Sequence, residues 1–90
     1  MYSIITTNRF EKEVKICKKR GYDMSLLQKA IELLAENGTL PENYKPHKLT
    51  GNYKDCWECH LKPDWLLIWK QNDTDLILLF LNTGTHSDLF

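Results

Sequence analysis

The sequence has no long apolar run, no net charge and too few cysteines for a disulfide framework, and each lack removes a class of protein. The longest uninterrupted apolar stretch is Leu76 to Leu81, far short of the roughly 20 residues a helix needs to span a bilayer. Met1 to Arg9 carries no basic segment followed by an apolar stretch, so neither a signal peptide nor a membrane span is expected, and a cytoplasmic location is. Three cysteines, an odd number in a chain without an export signal, fit reduced thiols. A formal charge of +0 from 12 basic and 12 acidic residues argues against binding bulk nucleic acid by charge alone.

Within that neutral total the charge is uneven. Arg9, Lys12, Lys15, Lys18, Lys19 and Arg20 face only Glu11 and Glu13 in residues 9–20, whereas no Lys or Arg follows Lys70. A local basic face, able to dock on RNA phosphates, is therefore compatible with the composition. Ninety residues without repeat, linker or low-complexity segment predict a single domain over 1–90.

The hydrophobic spacing divides the chain in two. Residues 2–5 suit a short strand. Thr7 or Asn8 can cap a helix in which Phe10, Val14 and Cys17 recur at helical spacing, with Glu11 completing a capping box from Asn8 and Gly21 closing the helix. Asp23 opens a second helix whose apolar stripe of Leu26, Leu27, Ala30, Ile31, Leu33 and Leu34 ends at Asn37-Gly38. After the prolines at 41 and 46 the spacing becomes that of strands: Asp55 to Leu61 alternates, Trp65 to Lys70 and Asp75 to Leu81 are apolar, and polar turns join them. The expected fold is α+β, with an N-terminal strand and a two-helix hairpin packed on an antiparallel sheet formed mainly by the C-terminal half.

All three histidines, His47, His60 and His86, lie in the strand half near expected strand ends, and Asp64 sits across a turn from His60. Histidines with a carboxylate and an aromatic platform are the parts that RNA cleavage requires: a base for the 2′-OH, an acid for the leaving oxygen and a surface for the bases. The string Cys56-Trp57-Glu58-Cys59-His60 matches a C-x-x-C-H haem-attachment pattern. Strand alternation sends its two sulfurs to opposite faces, however, leaving Cys59 in the core and excluding both haem and a dithiol pair. His47, His60, His86 and Asp64 offer zinc-type donors, but at no familiar motif spacing, so neither metal nor cofactor is expected. Trp57 and Trp69 are expected in the core beneath the helices and Trp65 at the rim.

Three segments, Leu40-Pro41-Glu42-Asn43-Tyr44-Lys45-Pro46-His47-Lys48-Leu49-Thr50-Gly51, His60-Leu61-Lys62-Pro63-Asp64-Trp65 and Thr83-Gly84-Thr85-His86-Ser87-Asp88-Leu89-Phe90, resemble in order and spacing the YafQ-type toxins of the RelE/ParE superfamily. The resemblance covers essentially the whole chain. It implies the toxin of a type II toxin–antitoxin pair, a ribosome-dependent endoribonuclease cleaving messenger RNA in the 30S A site through 2′-OH attack. Its partners would be a cognate antitoxin, the ribosome and mRNA. It implies catalytic roles for His47, His60, Asp64 and His86, without settling acid and base, and messenger contacts for Trp65 and Phe90. Where the family pattern often has Arg before T-G-T-H, this chain has Asn82, expected at the RNA as a hydrogen-bond donor without charge, so either Lys48, Lys54 or Lys62 supplies the charge there or the toxin is slow. The competing expectations are a ParE-like protein acting on gyrase by contact and a member that only binds its antitoxin.

Overall fold

The computed structural model describes residues 1–90. In chain order it contains β1 (Ser3–Thr6), α1 (Asn8–Lys19), α2 (Met24–Asn37), β2 (His47–Lys48), β3 (Trp57–Lys62), β4 (Trp65–Asn72), β5 (Ile77–Gly84) and α3 (His86–Leu89), with single 3-10 turns at Glu42–Tyr44 and Gly51–Tyr53. One five-stranded sheet has the order β1-β5-β4-β3-β2. β2 to β5 form the antiparallel part, while β1 pairs parallel with β5 from Ser3↔Ile77 to Thr6↔Phe80. The sheet is thus mixed at one edge. A parallel partner must be reached by a crossover, and the whole of α1 to β4 lies between β1 and β5.

Local chemistry sets the helix ends. Thr7, not Asn8, caps α1: its Oγ1 accepts from Phe10 N, and Glu11 takes the hydroxyl of Thr6 rather than completing a capping box. Asp23 caps α2 by accepting from Ser25 N. Gly38 ends α2 in the left-handed conformation with φ 70°. Tyr2 lies so close to it that a Cβ at position 38 would come within 2.6 Å of the phenol oxygen, so glycine is required there both by conformation and by contact.

The two sheet faces are built differently. Against the hairpin, Phe10, Cys17, Leu27, Ala30 and Leu34 meet Cys59, Leu67, Trp69, Leu78 and Phe80 in one cluster of 13 buried residues. Trp57 and Trp69 stack there at 6.3 Å, on the face the alternation assigned them. The other face carries only Cys56, Leu66, Ile68 and Leu89 as buried apolar residues, flanked by Leu49, Tyr53 and Leu81. Cys56 and Cys59 do fall on opposite faces, but both are buried. Bulges interrupt the pairing between His60 and Lys62 and between Ile68 and Trp69. β5 runs on through Asn82, Thr83 and Gly84, which the sequence reading left outside the strand.

Candidate active site

The rim is assembled from three strand ends on the face away from the hairpin. His47 opens β2 and pairs in register with Glu58 of β3, and His60 lies two residues further along β3. His86 begins α3 directly after β5. The ring centroids stand 6.3 Å apart for His47 and His60 and 6.1 Å apart for His60 and His86. Phe90 follows 6.2 Å from His86, exposed, its far side 5.3 Å from Tyr53. Four sequence-predicted residues, His47, His60, His86 and Phe90, thus form a continuous arc, with Asp64 bonded to His86.

Each histidine has one nitrogen fixed by the protein. His60 Nδ1 lies 3.3 Å from the Pro63 carbonyl. A carbonyl can only accept, so Nδ1 donates to it and Nε2 is the nitrogen left facing outward from that bond. His86 is held twice by one carboxylate oxygen: Asp64 Oδ1 accepts from the His86 backbone N at 3.1 Å and lies 3.2 Å from its Nδ1. Those bonds hold the Asp64 carboxyl below its ordinary value, the backbone donor contributing most. His47 faces acceptors on both sides, the Lys45 carbonyl at 2.9 Å from Nδ1 and Glu58 Oε1 at 3.2 Å from Nε2. Both bonds are made together only by the doubly protonated ring. Glu58, its side chain 6% exposed, is the carboxylate beside the arc that the sequence did not single out. Alternation put it beside His60, but its pairing to His47 depends on the β2 register, which two residues cannot announce.

α3 is too short to hold itself, and its neighbours hold it. Thr85 and Asp88 form a reciprocal capping box, Leu89 is buried in the smaller cluster, and Arg20 at the end of α1 grips Asp88 with two bonds of 2.6 and 3.0 Å. This arginine, with the Thr85 backbone donor, holds the Asp88 carboxyl far below the usual carboxylate range. A Cβ at Gly84 would stand 2.9 Å from Asp88 Oδ2 on a backbone with φ 154°, so the glycine of T-G-T-H is what lets β5 turn directly into α3.

Two predicted positions are elsewhere. Trp65 is not at the rim: it is 2% exposed, packed at a tilt against Tyr22 and donating through Nε1 to Thr83 Oγ1 at 2.9 Å. Its position after the turn points it into the hairpin-side core, so it braces β4 against β5 and offers no face to RNA. Asn82 is likewise buried and donates to Glu13 Oε1 at 3.0 Å; the same carboxylate accepts from Thr83 N. Beyond Phe80, β5 keeps β4 on one side but has run past the end of β1 on the other, and Glu13 of α1 satisfies that free edge. Asn82 is therefore turned away from any substrate. The lysines scatter: Lys48 lies 5.7 Å over the Trp57 ring, Lys62 lines a cleft with Asp23, and Lys54 lies in the exposed link after the second 3-10 turn. No three His, Cys, Asp or Glu side chains converge closely enough to hold a metal ion.

A helical hairpin on one face of a mixed five-stranded sheet, with a histidine–carboxylate arc on the rim of the other, defines the class as a small RelE/ParE-like α+β protein. Residues 2–90 match the family described as "Bacterial toxin of type II toxin-antitoxin system, YafQ". The chain is 42% identical over 85 residues to the mRNA interferase toxin YafQ of Escherichia coli K12, covering 93% of this chain and 90% of that one. The crystal structure of YafQ from E. coli BL21(DE3) superposes with a TM-score of 0.92 at 38% identity over 100% of this chain and 99% of that one. YafQ in the E. coli DinJ–YafQ complex gives 0.90 at 40% identity with the same coverage. The chain belongs to the YafQ family of type II toxin–antitoxin toxins.

Proposed function

We propose that this protein is an endoribonuclease that cleaves messenger RNA on the ribosome, in the A site, and that a cognate antitoxin silences it. The mRNA interferase activity of the E. coli relative and the pairing of YafQ with DinJ support the reading. The observation that carries it is the arc of three histidines, each held by a different partner: His60 by the Pro63 carbonyl, His86 by Asp64, and His47 by the Lys45 carbonyl and Glu58. His60 Nε2, unprotonated, takes the proton of the 2′-OH as O2′ bonds to phosphorus. His86, oriented through Nδ1 by Asp64, gives its Nε2 proton to O5′ as the P–O5′ bond breaks. The products are a 2′,3′-cyclic phosphate and a 5′-OH, and the two histidines have exchanged roles. His47, set between the Lys45 carbonyl and Glu58, is the third ring placed to face the charge gathering on the phosphoryl oxygens. The 6.1 Å between the His60 and His86 rings leaves room for a phosphodiester, and Phe90 offers its exposed ring to a base. Electrostatic support of this kind is effective because the donors are already in place.

The test is ribosome-dependent cleavage by purified His60→Ala and His86→Ala proteins, measured beside thermal unfolding. Each should lose about 10² to 10⁴ in rate while unfolding normally, and the double variant should be little worse than the poorer single one. Folded variants that cleave at the parental rate would overturn the assignment.

A further inference from the structure

The turn between α1 and α2 brings Gly21–Asp23 against the β3–β4 turn and leaves a cleft of about 490 Å³ on the hairpin side of Asp64. We propose that this cleft binds the base of the nucleotide next to the scissile bond, and that it prefers a base carrying an exocyclic amine to uracil. The inference rests on the nuclease reading and deepens it, because Asp64 and Thr85 wall both the cleft and the arc. A nucleotide displaced from the arc by one position along the RNA enters the cleft across Asp64.

The lining favours a base over other occupants. Tyr22 is half-buried, its ring braced on the Trp65 indole at 4.9 Å and 59°. It is thereby a pre-positioned stacking surface, and stacking on an aromatic side chain is tolerant of base identity. Selectivity comes from the two carboxylates. Asp23 uses Oδ1 for Ser25 N and Oγ, and Asp64 uses Oδ1 for His86, so each leaves Oδ2 without a protein donor. Both carboxyls are held below their ordinary value by those hydrogen bonds, Asp23 by Ser25 and Asp64 by His86, and both are ionised at neutral pH. Two anions repel a phosphate from the interior and accept N–H groups from a base edge. Lys62 is the one cation in the lining, suited to the phosphate that tethers the base. The cleft size lies within the range of ligand sites.

The experiment is cleavage on ribosomes of a messenger pool randomised on both sides of the scissile bond, with sequencing of the new 5′ ends. The parental protein should disfavour uridine at one flanking position. Tyr22→Ala should flatten that preference and raise KM about tenfold, within the range expected for loss of one stacked base, with kcat nearly kept. Tyr22→Phe should restore both, and Lys62→Ala should raise KM while leaving the preference intact. No flanking preference in the parental protein, or an unchanged preference and KM in folded Tyr22→Ala, would overturn the proposal. Should Tyr22→Ala fail to fold, titration of the cleavage-deficient His60→Ala protein with a trinucleotide decides it. Tyr22 and Lys62 side-chain NMR signals should shift, and their constancy would count against the cleft. Loss of cleavage in His60→Ala tests the nuclease reading separately, so the two can fail independently.

Discussion

The two faces of the sheet divide the work of the molecule. The hairpin-covered face holds 13 clustered buried residues and no histidine, whereas the open face holds four and presents the whole titratable arc at its rim. One face supplies stability and tolerates no water; the other is kept thin so that strand ends stay accessible. A small domain has little core to spare, so concentrating apolar burial on one side frees the other for groups that must exchange protons.

Substitutions at the centre of the covered face should test that division most severely. Trp69→Ala removes a fully buried indole stacked on Trp57 and should cost about 3 to 5 kcal/mol. Thermal unfolding should show a much lower midpoint, while cleavage per folded molecule, measured well below it, should stay close to parental. A rate that collapsed in the folded fraction would mean that the faces are coupled.

Glu58 sharpens the comparison, because it is a buried carboxylate on the open face. Glu58→Gln preserves shape but removes the carboxylate that faces His47 Nε2 at 3.2 Å. The rate should fall about tenfold, equivalent to about 1.4 kcal/mol, with a smaller change in unfolding midpoint. A parental rate would show that His47 acts without its partner. Asn82→Arg, by contrast, places its guanidinium beside Glu13 and should bring no gain in cleavage.

The smallest effect is expected where the faces meet, at the Arg20–Asp88 link between α1 and α3. Asp88→Asn keeps an oxygen for the Thr85 cap and loses the ion pair, so cleavage should fall only several-fold and Arg20→Gln should match it without adding to it. The pH response follows from Asp88 itself. Arg20 holds the Asp88 carboxyl well below the ordinary carboxylate value in the folded state, so its contribution is complete above the ordinary value and is lost as pH falls below it. Parental protein should therefore lose stability on acidification more steeply than Asp88→Asn; equal slopes would remove the link from the account.

The sequence by itself determined the hairpin, because helical spacing and the Asp23 and Gly38 caps are local. It also determined which face of β3 each residue from Cys56 to Leu61 occupies, since alternation requires only the strand. The histidines could be recognised as a set from their motifs. What only the tertiary structure decided is contact between distant segments. The parallel pairing of β1 with β5 closes over most of the chain. Trp65 and Asn82 were misplaced because the exposure of a residue after a turn, or at the end of a strand, depends on what packs there: Tyr22 and Thr83 enclose the one, and Glu13 takes the other. Glu58 meets His47 through the register of a two-residue strand, and Arg20 reaches Asp88 across 68 positions. Such contacts form when the hairpin and sheet close around a shared core, and no spacing along the chain records which side chains then face each other.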